Sequence, residues 1–155
     1  MIEKIVSGGQ TGADRAGLDA AIELDIPHGG WIPKGRKTED GTLPKKYHLR
    51  EMPTASYAAR TEQNVIDSDG TLIVSHGKLN GGSAMTRQLA KKHNRPWMHV
   101  DLEKTSFFKA AMDVRLWVEQ HQIKVLNVAG PRGSKDPGIY EATKKLLTLI
   151  IQWKG

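Results

Sequence analysis

The chain reads as an α/β protein, a single Rossmann-like, doubly wound domain over residues 1–155 with a mainly parallel five-stranded sheet and helices on both faces. Three observations predict this. Short apolar runs alternate with stretches of helical period about five times, the pattern of a parallel sheet built from right-handed crossovers. Three of the apolar runs end in glycine-rich turns that lead into helices. The length suits one core, with no internal repeat, low-complexity tract or linker to divide it.

The elements follow in order. Ile2–Val6 is the first strand, and Ala13–Leu24 the first helix, with Gly17, Ala20, Ala21 and Leu24 on one face. Thr11 and Asp14 have capping-box spacing at its start. Pro27–Ile32 reads as the second strand. Residues 33–55 hold Pro33, Pro44 and Pro53 with no clear period, and loops of this length are usually functional or mobile. A helix over Tyr57–Asp67 takes Ser56 as its N-cap and turns Tyr57, Thr61 and Val65 to one side. Thr71–Ser75 is a buried strand. The Asn80-Gly81-Gly82-Ser83 turn then opens a helix that ends near His93. Pro96–Val100 is a strand, and Phe107–Gln120 a helix with Phe107, Ala111, Val114 and Val118 at helical spacing. Lys124–Ala129 is the fifth strand. After Gly130-Pro131-Arg132-Gly133-Ser134, Asp136 is expected to cap the last helix with Pro137 at its first position. Ile139, Ala142, Leu146, Ile150 and Trp153 face the core.

Composition narrows the chemistry. There is no cysteine, which excludes disulfides, thiolate metal sites and cysteine nucleophiles. The six histidines (28, 48, 76, 93, 99 and 121) show no H-x-x-x-H spacing, so no structural metal is expected, although His28 and His76 belong to or follow strands. No apolar run approaches a membrane span and no apolar signal region opens the chain, so the expected location is cytoplasmic. The net charge of +6 favours anionic partners.

The glycine turns are the chemical signal. A turn between a parallel strand and a helix leaves backbone N–H groups at the helix's positive end, a seat for phosphate. The first turn offers Gly8, Gly9, Gln10, Thr11, Gly12 and Asp14; the second offers Gly81, Gly82 and Ser83; in the third, Arg132 stands between Gly130 and Gly133. All three fall at the same type of junction and should share one sheet edge, where doubly wound folds bind ligands. The first turn lacks the G-x-G-x-x-G spacing, and no acid ends the second strand, so an NAD site is not expected. Six basic residues over 33–50 (Lys34, Arg36, Lys37, Lys45, Lys46, Arg50) face two acids, Glu39 and Asp40, and read as a lid over an anion or as a solvated loop. Arg36 is the one expected at the ligand. Asp14 is equally a helix cap or a ligand contact. Arg60 and Glu62 read as surface charges of their helix, and Trp31 as a core residue or a stacking platform.

Taken together, Val6 to Asp19, Gly30-Trp31-Ile32-Pro33-Lys34-Gly35-Arg36, Glu39-Asp40-Gly41, Arg60-Thr61-Glu62-Gln63-Asn64-Val65, Asp67 to Ile73 and Leu79-Asn80-Gly81-Gly82-Ser83 resemble the bacterial family named as molybdenum cofactor carriers. That family is similar to a wider Rossmann-like superfamily that includes lysine decarboxylase-like proteins, the plant "lonely guy" phosphoribohydrolases and a DNA-processing protein. The resemblance implies a carrier-like binding protein for a phosphorylated small molecule, either molybdenum cofactor (molybdopterin) or a nucleotide. It implies the Gly8-Gly9 and Gly81-Gly82 turns as the binding loops, and a homo-oligomer. The alternative it offers is an enzyme cleaving an N-glycosidic bond. The phosphoribohydrolases carry a catalytic glutamate where this chain has Gln88, so Asp14 or Glu62 would have to replace it. Nucleic-acid binding is suggested only by charge and one distant relative, and membrane association by nothing.

Overall fold

The computed structural model describes residues 1–153. Five strands form one parallel sheet: β1 (Lys4–Val6), β2 (His28–Gly29), β7 (Gly70–Ser75), β8 (Trp97–Asp101) and β9 (Val125–Ala129), in the spatial order β2-β1-β9-β7-β8. The helices are α1 (Ala13–Glu23), α2 (Tyr57–Asp67), α3 (Gly81–Lys92), α4 (Phe107–Gln120) and α5 (Ile139–Gln152). α1 and α4 both pack on α5, while α2 packs on α3, so the sheet is covered on both faces, as doubly wound folds require. The core lies between: Ile5, Leu72, Val74, Leu126 and Val128 from the sheet meet Ala20, Val114, Leu146 and Ile150 from α1, α4 and α5.

The order has an internal logic. Counted from β7 rather than from β1, the five strands lie as 2-1-3-4-5, an ordinary doubly wound order. Crossovers leave β7 toward β8 on one side and β9 toward β1 on the other in this counting. The direction therefore reverses between β7 and β9, and the crevice at their carboxyl ends is the expected ligand position.

Three expectations need correction. The second strand is not continuous: β2 stays in the main sheet, and β3 (Trp31–Ile32) leaves it to pair with β6 (Arg50–Glu51). The break is at Gly30, whose φ of +126° and close approach to the Ser7 backbone exclude a side chain. The capping box does not form. α1 starts at Gly12 without a side-chain cap, and Thr11 Oγ1 instead accepts from Gly133 N at 3.0 Å. Nor does Asp136 cap α5, which begins at Ile139. The intervening turn uses one Asp136 carboxylate oxygen to accept from Gly138 N at 3.1 Å, and the other meets His76 Nδ1 at 2.8 Å.

Residues 33–55 are folded. They contain a small hairpin, β4 (Lys37–Thr38) with β5 (Gly41–Thr42), and bury Leu43, Tyr47 and Leu49 against Ile32 and Leu18 of α1. Each aliphatic side chain so buried contributes about 1.5–3 kcal/mol. Arg36 organises the segment from inside: its guanidinium donates to the carbonyls of Leu43 (3.1 Å), Pro44 (2.8 Å), Tyr47 (2.8 Å) and Leu49 (3.4 Å). Asp19 of α1 accepts from the hydroxyls of both Tyr47 and Tyr140 of α5, tying the segment to two helices.

Candidate functional site

All three glycine turns lie at the carboxyl ends of strands, after β1, β7 and β9, and converge on one cleft of about 270 Å³ lined by Gly8, Gly82 and Gly130 among others. Of the residues singled out from sequence, Gly8, Gln10, Asp14, Gly82, Ser83 and Arg132 line it.

The others lie behind it or elsewhere. Gly9 packs against Leu49, Ile32 and Leu43; Gly12 lies against the backbone of 131–133; Gly81 borders Lys135. Thr11 braces the first turn to the third by donating to the Glu39 carboxylate and accepting from Gly133. Arg36 does not line the cleft, its donors being spent on its own segment. No lysine of residues 33–55 lines it either. Trp31 donates its Nε1–H to Asp67 at 2.8 Å, and His28 stacks on His48. Glu62 is engaged with His93 (2.8 Å) and Lys92 (3.1 Å), and neither it nor Gln88 lines the cleft.

The residue that sequence reasoning placed wrongly is Arg60. It is 7% exposed, at the floor of the cleft. One guanidinium nitrogen donates to the Gly8 carbonyl and lies 3.8 Å from Asp14 Oδ2, while Nε is buried without a partner. Burial lowers its pKa, opposed by the charge of Asp14. The local fold explains its position. Ser56 Oγ accepts from Ala59 N at 3.1 Å and starts α2 so that Tyr57, Arg60, Thr61 and Asn64, at i, i+3, i+4 and i+7, all line the cleft. That polar stripe was the available signal. Gly8 is needed for the same contact, because a Cβ there would collide with the guanidinium.

Among the described residues Asp14 is the only carboxylate lining the cleft, beside Arg60 and in the same lining as Arg132 and Lys135. Desolvation by burial raises its pKa to about 6, against the opposing pull of Arg60, the Gln10 N–H and Arg15. Arg132 leans on Glu39, Nε to Oε2 at 3.5 Å. Burial alone would raise the Glu39 carboxyl, but hydrogen bonds from Ser134 and Thr11 and the charge of Arg132 bring it below its usual value. Across the cleft stands the amino end of α3. Asn80 is its N-cap and offers no side-chain cap; its carbonyl takes the Ser83 N–H at 3.1 Å, and the Gly81 and Gly82 amides before it remain available. Asn127, buried in β9, donates to Thr71 Oγ1 at 3.2 Å and also lines the cleft. Among the described residues, no three His, Asp or Glu side chains cluster as a metal site, and no helix is long and apolar enough to cross a membrane.

A buried arginine, a helix start without a side-chain cap and three glycine turns thus share one cleft at the carboxyl edge of a doubly wound sheet. Residues 5–151 match the family described as circularly permutated YpsA SLOG. The chain belongs to this family. The description agrees with the strand order, which becomes ordinary when counted from β7. A crystal structure of a "Putative molybdenum carrier protein" from Syntrophus aciditrophicus SB superposes with a TM-score of 0.96 at 56% identity, covering 97% of this chain and 95% of that one. No curated protein matches. The family resemblance read from the sequence, and with it the α/β fold, is therefore shown.

Proposed function

We propose that this protein binds a phosphorylated small molecule, as a carrier would, in the cleft at the carboxyl ends of β1, β7 and β9. The observation that carries this reading is Arg60: a buried guanidinium lining the cleft, with a nitrogen left unpartnered among the described residues, in the same cleft as the free Gly82 amide at the start of α3. Burying a charge without full pairing is costly, and an incoming anion offsets that cost. The ligand's phosphate would take the Gly82 amide and the Ser83 hydroxyl together with Arg60, and Arg132 and Lys135 would add charge at the rim. Asn127, Asn64, Tyr57 and Asp14 would hold its ring or sugar.

The name of the 56% identical neighbour makes molybdenum cofactor one candidate, with a nucleotide as the other. The donor set fits the phosphate and pterin ends of molybdenum cofactor. With no cysteine in the chain and no histidine lining this cleft, the protein would grip that cargo by its organic part. The localisation in keeping with such a role is the cytoplasm, and an assembly of several copies is compatible with it.

Native mass spectrometry of the purified protein, followed by calorimetry with the released compound, tests the reading. A co-purifying phosphorylated molecule lost in the Arg60→Met variant supports it. Binding that survives unchanged in that variant overturns it. A second reading rests on Asp14, a carboxyl titrating near 6 inside the cleft: it is placed to act as acid or base in cleaving an N-glycosidic bond. Turnover of a nucleoside monophosphate that disappears in Asp14→Asn would establish that reading over pure carriage.

A further inference from the structure

A second cavity of about 300 Å³ adjoins the cleft and shares Asn80, Ser83, Pro131 and Lys135 with it. Its remaining lining is Ser75 at the end of β7, His76, Lys78 and Leu79 from the segment that follows, and Asp136 and Pro137 from the segment after β9. It therefore lies in the crevice between β7 and β9, where the crossover direction reverses. Its only carboxylate among the described residues, Asp136, is already occupied by His76 Nδ1 and Gly138 N. Lys78 and Lys135 have no carboxylate partner among the described residues, and Lys135 Nζ stands 3.4 Å from where a Cβ on Gly81 would be, over the start of α3. Ser83 is the hinge between the two spaces. It is 7% exposed, lines both cavities, and its hydroxyl makes no hydrogen bond among the described residues.

These features extend the proposed function and rest on it. We propose that the bound molecule carries two linked anionic groups, a diphosphate rather than a monophosphate. One group sits at the amino end of α3 with Arg60 on its far side, and the second lies in the adjoining cavity beside Lys78 and His76. Ser83 and Lys135 lie at the bridge between them, where the linking oxygen of a pyrophosphate would fall. A monophosphate would leave the second cavity, with its two unpaired ammonium groups, without an anion.

Calorimetry with two matched pairs tests this: AMP against ADP, and inorganic phosphate against pyrophosphate, which carries no base. The expected result is that each diphosphate binds at least about ten-fold tighter than its partner, the worth of one or two charge-assisted hydrogen bonds. Lys78→Ala should remove most of that gap while leaving AMP affinity within about two-fold, and Lys109→Ala, a control on α4 far from the site, should leave both pairs unchanged. Equal affinities within both pairs, or a Lys78→Ala variant that weakens AMP and ADP alike, would overturn the diphosphate inference and leave the phosphate cleft standing. Failure of all four anions to bind would overturn the phosphate cleft and this inference with it.

Discussion

Arg60 and Asp14 carry most of the chemistry of the cleft, and each makes a prediction. Arg60→Lys keeps the charge but cannot both hold the Gly8 carbonyl and reach the cleft, so anion affinity should fall about 10- to 100-fold by calorimetry. Asp14 has a folded-state pKa of about 6, above its ordinary 3.8, so it is neutral below pH 6 and an anion above it. Affinity for a phosphate ester should therefore weaken as pH rises through 6, and Asp14→Asn should bind several-fold tighter than the parent at pH 8 but equally at pH 5. The comparison at each pH cancels the ligand's own titration. The same shift sets a stability slope: the native state holds the proton longer than the unfolded chain, so stability falls between about pH 4 and 6, by on the order of 3 kcal/mol, and Asn at 14 removes the slope. At this scale the sequence was only partly legible. The place of Gly8, Gly82 and Ser83 at one sheet edge was legible because glycine turns are local features, whereas the burial of Arg60 depends on which face of α2 meets the first turn. Arg36 was misjudged for a related reason. A cation beside a strand end suggests a ligand, but four carbonyls of its own segment reach it first.

The helices were legible nearly to the residue, because their apolar spacing and caps such as Ser56 are written locally. The second strand and the start of α5 were not. A break in a strand depends on what lies opposite, here the Ser7 backbone against Gly30. Two substitutions separate that contact from simple backbone strain. Gly30→Ala should lower stability by more than about 2 kcal/mol, since both its φ of +126° and the Ser7 carbonyl oppose a side chain. Gly35→Ala, also at positive φ but with open space around it, should cost only about 1 kcal/mol. Thermal unfolding of the two variants side by side reads the difference.

At the scale of the whole molecule, a parallel doubly wound sheet followed from the alternation of elements, but the order β2-β1-β9-β7-β8 did not. Strand order is set by which edge each crossover returns to, and single-sequence periodicity carries no trace of that. If the fold is indifferent to where the chain is opened, joining residues 153 and 1 through a short flexible linker and opening the chain between α2 and β7 should yield a protein with the same cooperative unfolding and the same anion affinity. Loss of binding with retained folding would instead show that the cleft needs the present connection between α2, which carries Arg60, and β7.

The pair of tyrosines on Asp19 turns this architecture into an optical signal. Burial and the Asp19 charge push the hydroxyls of Tyr47 and Tyr140 well above the ordinary phenol range. The unfolded chain would ionise them near pH 10, so each makes the folded state less favourable as pH climbs past that point. In an alkaline titration followed at the tyrosinate absorbance band, Tyr47 should stay silent until residues 33–55 detach from α1, and Tyr140 until α5 parts from α1. A step worth one phenolate, that of Tyr47, would then report, without any label, the moment at which residues 33–55 let go.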